Sequence, residues 1–367
     1  MRLGGLIGQG RELVRVSRAG ARAHASSPVA VARRARRMRV HGGFEYDEAL
    51  GLGLLDPRRP EADCDLHVSR HAVLEVQRRL NPAGVTPISG EKAIFYPYCA
   101  AAGIPIPRLF GIIDTGGVGW SHLAGAALDA DGIEAFFARD LPGEFVVKPS
   151  GGYQGRSVMV LGREGDRLVS ARWSGTPAEL VAHLGADPEF SLWVVQQRLH
   201  DHPDLARLHP TTAIQTLRVV TLIDGEGEVE ILYAVLRMAL GGGDFDNFAR
   251  GTSGNGISEV SLATGRLGPL TMARPDGCGF VSRSEVPETG VRIEGVDAPL
   301  WSETLDLVRR SAPALLPART IGWDIALSDA GPVVVEANMF AWMLPLVDEA
   351  AVLARMSRLD RGPVGAG

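Results

Sequence analysis

At 367 residues, with 45% apolar and 22% charged side chains, the chain has the make-up of a globular protein of about two or three domains, which excludes disorder as its dominant state. Its 45 Gly and 23 Pro stay below the share of a low-complexity or collagen-like chain, and no apolar run approaches the roughly 18 residues of a membrane-spanning helix. The net charge of −5 hides an asymmetry, because residues 1–40 carry ten Arg and one acid (+9) while residues 41–367 carry 28 bases and 42 acids (−14).

Rich in Arg, Ala, Gly and Ser, residues 1–40 read as a poorly ordered basic arm or an upstream extension of a start at Met38. A mitochondrial transit peptide or a membrane- or nucleic-acid-binding arm shares that composition. A secretory signal does not, since a continuous apolar centre is missing. Cys64, Cys99 and Cys278, odd in number and far apart, form neither a zinc pair nor a disulfide framework, and point to a reducing cytoplasm.

Between 41 and 110 the pattern is helical, clearest at Ser69–Leu80, where a serine able to cap precedes the apolar Val73, Leu74, Val76 and Leu80. A second helix, with Lys92 in its first turn, ends at Gly103, before Pro105, Pro107 and a strand. Residues 111–197 bring a short helix at 133–140, a strand Glu144–Lys148, a glycine loop from Pro149 to Ser157, a strand from Val158, a helix from Pro177 and a strand from Leu192. Residues 198–350 add the strands Thr216–Ile223 and Val229–Met238 across a glycine turn, a Gly/Asn/Asp-rich loop at 241–256, a helix at 300–310 and a last hairpin, Ile321–Leu327 with Val333–Asn338. Residues 351–367 read as a tail, and the whole as α+β with mostly antiparallel strands.

Of the 38 basic residues only Lys92 and Lys148 are lysines. In a chain that otherwise uses Arg, a retained lysine marks a site that needs a compact, flexible ammonium, as phosphate binding does. Lys148 closes a strand just ahead of Ser150, Gly151, Gly152 and Gly155, whose backbone N–H groups can lie over phosphates. The loop joins two strands, so it is neither a Walker A loop nor a dinucleotide fingerprint.

The last hairpin carries the sharpest signal. Glu336 and Asn338 are two apart in a strand and share a face, and a loop at Asp329–Gly331 centres the pairing so that Asp324 lies opposite Glu336. Two carboxylates and an amide in apolar strands suit a hard cation, since like charges side by side are otherwise destabilising. Arg218 and Arg237, also in apolar strands, need anionic partners, either these carboxylates or a phosphate or substrate carboxylate. His200, His202 and His209 lack a further ligand cluster and read as loop surface.

This order of parts, with NPAGVTPISGEKAIF, VVQQRLHDHPDLARLHPTTAIQTLRVVTL, FDNFARGTSGNGI and IGWDIAL followed by EAN, resembles the sugar-transfer-associated family of ATP-grasp proteins, relatives of glutamate-ligase-like enzymes, over about residues 60–345. The resemblance implies two α+β lobes holding ATP between them behind a helical N-terminal lead-in. Lys92, Lys148 and the 150–156 flap would contact phosphates, the backbone of Gln197 and Leu199 would read adenine, and Asp324, Glu336 and Asn338 would hold one or two Mg²⁺ ions, with Mn²⁺ an alternative. Arg237, Arg218 and Asn247 would be catalytic. The implied activity is a carboxylate–amine ligase working through an acyl phosphate on a small-molecule, sugar-acid or amino-acid substrate, for instance in modifying cell-surface polysaccharide or peptide. An ATP-grasp phosphotransferase or a non-ligase nucleotide-binding protein is the alternative. No nucleic-acid partner is expected, and residues 1–40 are expected to be dispensable for ATP binding.

Overall fold

The strands form two antiparallel sheets. The computed structural model describes residues 3–152, 155–241, 246–248, 251–340 and 348–360. Seven helices come first: α1 (Leu3–Ala23), α2 (Pro28–Gly42), α3 (Tyr46–Gly51), α4 (Glu61–Asp65), α5 (Arg70–Leu80), α6 (Thr86–Gly90) and α7 (Lys92–Ala101). Helix α5 starts where expected, with the Ser69 hydroxyl accepting from the Ala72 N–H, and α7 ends before Gly103 at φ 70°, a conformation only glycine adopts freely.

The first sheet collects β1 (Leu109–Asp114), β2 (Val118–Ser121), β3 (Ala126–Leu128), β4 (Glu144–Pro149), β5 (Met159–Glu164), β6 (Arg167–Val169), β7 (Ser174–Gly175) and β8 (Leu192–Gln197) in the order β3-β2-β1-β8-β4-β5-β6-β7. Helices α8 (Ala130–Ala135), prolonged by a π-helical turn at Phe136–Asp140, and α9 (Pro177–Gly185) supply Ile133, Phe136, Phe137, Leu180 and Leu184 to its core. The second sheet, reached through α10 (Pro203–Leu208), has β9 (Thr216–Ile223), β10 (Val229–Met238), β11 (Gly256–Val260), β12 (Leu267–Ala273), β13 (Phe280–Arg283), β14 (Thr320–Ser328) and β15 (Gly331–Asn338). Their order is β13-β12-β11-β10-β9-β14-β15, with α11 (Trp301–Ser311) packed against it and α12 (Glu349–Asp360) at the end of the described chain.

Strands β9, β10 and β14 are buried on both faces, which is why they read as near-continuous apolar runs. Leu217, Val219, Ala234, Leu236, Trp323 and Ile325 enter the main core with α7 and α11. On the opposite face Val220, Leu222, Tyr233 and Val235 are covered by α5 and by Val352 and Met356 of α12. Beyond that apolar end the same face carries Arg218, Arg237 and Asp324, so one sheet surface is divided between packing and chemistry.

Strands β2, β3, β6, β7 and β11–β13 have no counterpart in the sequence reading. Pro269 hides β12, because proline removes a ladder donor; the register shift between Ser258 and Val260 opens a bulge that accommodates Gly268 and Pro269.

Residues 3–42 correct the expectation of a poorly ordered arm. Ser27 caps α2 by accepting from the Val29 N–H, Pro28 opens its first turn, and Gly43 at φ 70° ends it. Leu13, Val16, Val31, Ala35 and Met38 are buried in one cluster with Phe44, Tyr46, Leu50, Leu54 and Leu55. The cluster also takes in Cys278, and Gly53 meets Gly279 so closely that a Cβ on either would lie 3.1 Å from the other's Cα. Arginine was the misleading signal: Arg11, Arg18, Arg22, Arg33 and Arg36 are exposed, and the apolar residues between them make the inward face. The tail likewise holds α12, while residues 361–367 lie outside the described residues.

Deleting residues 1–38 strips that cluster of Leu13, Val16, Val31, Ala35 and Met38. Each large side chain so lost removes roughly 1.5–3 kcal/mol of burial, so thermal unfolding should show Tm lowered by at least about 5 °C. An unchanged Tm would show that these helices do not stabilise the fold.

Candidate active site

The last hairpin brings Asp324 directly opposite Glu336, and Gly322 opposite Asn338, by a different route from the expected three-residue loop. Ser328 pairs with Gly331 across a two-residue turn, and the register then shifts between Asp324 and Ile325, where Val335 is the extra residue of a bulge. The tighter turn and the bulge cancel. Val334 and Ala337 therefore both face the core, while Glu336 lies on the other face with Asp324.

Asp324 also lies opposite Arg218 on β9, which pairs with β10 so that Arg237 is opposite Thr216. Arg218 donates to both Asp324 oxygens through Nε and Nη2, and Arg237 Nη2 lies 3.0 Å from Oδ2. Burial pushes the Asp324 carboxyl up, but the Arg218 and Arg237 guanidinium groups outweigh it and hold the carboxyl below its ordinary range. Burial lowers the Arg218 pKa, yet Asp324 more than reverses this and raises it. Arg237 continues outward: its Nε and Nη2 donate to the Thr216 hydroxyl at 3.1 and 2.7 Å, and Nη2 lies 3.3 Å from Asp246, which in turn accepts from Thr216. Asp246 is raised by burial, an effect Arg237 opposes.

Both lysines reach this face from the other side. Lys92, at the start of α7, donates to the Gly152 carbonyl at 2.6 Å and lies 3.4 Å from Glu336 Oε1. The same helix start fastens the glycine loop, because the Lys92 N–H donates to the Ser150 carbonyl, the Ala93 N–H to Ser150 Oγ, and Ser150 Oγ to Glu91. Tyr153 and Gln154 of the loop lie outside the described residues. Lys148, at the end of β4, donates to the Tyr96 hydroxyl at 2.6 Å, and that hydroxyl donates to the carbonyl of Val335, the bulge residue. Burial, then the Lys92 ammonium, push the Lys148 ammonium down to about 7.

Lys92, Lys148, Thr216, Arg218, Arg237, Asp246, Asp324, Glu336 and Asn338 line one cavity of about 1510 Å³, above the roughly 300–1,000 Å³ of an ordinary ligand pocket. Gly152, Gly155, Gln197, Leu199 and Asn247 line it too, while Ser150 is fully buried beneath and Gly151 faces Glu91. Asn247 accepts from the Asn255 amide through its carbonyl. The Gln197 N–H is already donated to the Arg108 carbonyl, and its Oε1 accepts from the Arg108 N–H. At Leu199 no backbone bond occurs among the described residues. Next to them Gln196 is buried with an Oε1 that has no partner among the described residues.

The donor set suits a nucleotide carrying a hard cation. Gln196 Oε1 lacks the donor that an exocyclic amine supplies, and Glu336, a quarter exposed, and Asn338 offer oxygens to the cavity. Asp324 fits a metal less simply. A carboxylate has about four lone-pair sites; three guanidinium N–H groups occupy Asp324, and Asn338 Nδ2 lies 3.4 Å from Oδ2. Among the described residues no group of three or more His, Cys, Asp and Glu is placed to hold a metal.

A model of the sugar-transfer associated ATP-grasp family matches residues 73–361. The chain belongs to this family. The ATP-grasp match begins within α5, so α1 to α4 precede it. No curated protein gives a match. Among solved structures, D-alanine–D-alanine ligase from Bacillus anthracis is 15% identical with a TM-score of 0.41, over 75% of this chain and 68% of its own. An L-amino acid ligase from Bacillus licheniformis (12%, TM-score 0.35) is matched over 70% of this chain, and a biotin carboxylase from Campylobacter jejuni (11%, TM-score 0.46) over 77%. The chain spans only 41% and 48% of those two. At such scores the likenesses carry no argument, and the assignment rests on the family match.

Sequence reasoning missed Asp246, Thr216, Tyr96, Glu91 and Gln196. The DNF motif drew attention to Asn247, whereas the carboxylate beside Arg237 belongs to the residue before it. Tyr96 had a findable signal, because it lies four residues after Lys92 and so one helical turn along the same face.

With its folded value near 7 against 10.5 for an ordinary lysine, Lys148 binds fewer protons in the folded than in the unfolded chain between those values. Nucleotide-free stability should therefore rise with pH from about 7 towards 10. Lys148→Met should flatten that slope; melting curves across the range check it, and a slope that persists in the variant would assign it to another group.

Proposed function

We propose that this ATP-grasp protein is an ATP- and Mg²⁺-dependent ligase that phosphorylates a carboxylate and joins it to an amine. The observation that carries the reading is the convergence of Lys92, Lys148, Arg218 and Arg237 on the face holding Asp324, Glu336 and Asn338, within one cavity large enough for a nucleotide and a second substrate.

In this reading Lys92, Lys148 and the glycine loop hold the phosphates, the strand exit from Gln196 to Leu199 holds the base, and Glu336 and Asn338 hold Mg²⁺. Bound there, the ion would neutralise phosphate charge. Asp324 orients the two arginines towards the cavity. A substrate carboxylate oxygen then takes the γ-phosphoryl group as its bond to ADP breaks, and Arg237 and Arg218 offset charge on the transferring group. The amine attacks the acyl carbon, loses a proton, and phosphate leaves. No protein nucleophile is needed, and a sugar acid or amino acid is the substrate class we favour. The buried free thiols Cys64, Cys99 and Cys278 accord with a reducing, cytoplasmic setting.

Mg²⁺-ATP should raise Tm in the wild type and far less in Lys148→Ala, by mass action on the folded state. No Mg²⁺-dependent shift at millimolar nucleotide would remove the proposal's foundation. Trapping with hydroxylamine separates ligase from phosphotransferase, since only an acyl phosphate gives a hydroxamate.

The two carboxylates should behave differently. Glu336→Gln leaves Lys92 with its carbonyl partners, so metal-free Tm should barely move while ADP formation falls by roughly two orders of magnitude or more. Asp324→Asn leaves the buried Arg218 guanidinium without its anion and Arg237 with Asp246 alone, and should cost about 3–5 kcal/mol of stability. Measured together, Tm and ADP release test this; near wild-type turnover in Glu336→Gln would defeat the metal assignment.

A further inference from the structure

Helices α1 and α2 have two faces of opposite character. Inward, Leu13, Val16, Val31, Ala35 and Met38 enter one buried cluster, so each helix turns its opposite face away from that core. Outward lie Arg11, Arg18 and Arg22 on α1 and Arg33 and Arg36 on α2, all exposed. Arg15, Arg37 and Arg39 are matched by Asp47, Glu61 and Glu45, and Arg34 donates to the Leu54 carbonyl and the Cys64 sulfur. The five outward arginines have no acidic partner among the described residues.

Three valines share this surface. Val14 (50% exposed) stands three residues after Arg11 and four before Arg18; Val29 (68%) and Val40 (75%) stand four residues on either side of Arg33 and Arg36 respectively. Folding leaves these apolar side chains in water between unpaired guanidinium groups. No helix among the described residues is long and apolar enough to cross a membrane.

We propose that the outer face of α1 and α2 docks on an anionic lipid bilayer, arginines among the headgroups and valines at the acyl boundary. Charge supports the orientation, since residues 1–40 carry +9 and the rest of the chain −14, which turns the acidic body away from a negative surface. The valines favour lipid over nucleic acid: interleaved apolar side chains gain from an acyl boundary, and no exposed aromatic lies among these arginines to stack a base. Arg15 and Ala19 of α1 also line the large cavity.

The test is flotation of the full chain with vesicles of phosphatidylcholine alone or mixed with phosphatidylglycerol, at low and high salt. Binding should require phosphatidylglycerol and weaken with salt. Combined Arg11→Gln, Arg18→Gln, Arg33→Gln and Arg36→Gln should lower partitioning roughly tenfold or more, and Val14→Ser with Val29→Ser and Val40→Ser a few-fold. Melting curves confirm that each variant is folded, and the pair Arg18→Gln with Arg33→Gln, expected to give an intermediate loss, serves if the larger set is not. Failure of the wild type to float with anionic vesicles, undiminished binding by a folded charge variant, or tighter binding to duplex DNA than to vesicles at equal salt would each overturn the proposal. None of these outcomes depends on ATP turnover.

Discussion

A carboxylate buried between two guanidinium groups sets the geometry of this protein. Asp324 sits in the second sheet with Arg218 beside it and Arg237 one strand further on, and each member would be costly to bury alone. Together they are held at fixed strand positions, so their positions relative to one another are those of the hydrogen-bond ladder. What the pair presents to the cavity is preorganised: two positive groups already oriented by an anion, with neighbouring Glu336 and Asn338 in the next strand.

That cluster stays in place because the sheet around it is packed on both sides. The same face that bears Arg218 continues into Val220 and Leu222 under α5 and α12, and the reverse face is the main core. Charged and apolar halves of one surface thus share three strands, and the strain of holding like charges close is borne by rigid elements. The lysines approach from a different part of the chain, Lys92 on α7 and Lys148 on β4, so the site forms only when the two sheets come together around the cavity.

Much of this was legible in residue order. Strand periodicity placed Arg218, Arg237, Asp324, Glu336 and Asn338, and the scarcity of lysine singled out Lys92 and Lys148, because side-chain alternation and composition act locally. What depends on the third dimension was not legible. The partition of the cations among the anions, Lys92 with Glu336 and both arginines with Asp324, follows from the strand or helix each occupies. Asp246 was overlooked because its neighbour in the DNF motif carries the more familiar amide. The basic first forty residues misled because net charge says nothing about how charges are distributed around a helix, and at spacings of three and four residues Val31, Ala35 and Met38 were free to build a core.

The bulge at Val335 makes the hairpin a parity device. Three consecutive valines precede Glu336, and one of them is surplus to the ladder; that single extra residue decides whether the carboxylate looks into the cavity or into the packing around Trp323. Its carbonyl is tied by Tyr96, whose hydroxyl also receives the Lys148 ammonium. The odd residue is therefore read by both halves of the molecule at once. Length in this segment is as informative as identity: related chains can exchange one β-branched residue for another between the turn and the carboxylate, but gain or loss of one position there would invert the site unless the turn changed by one residue to compensate.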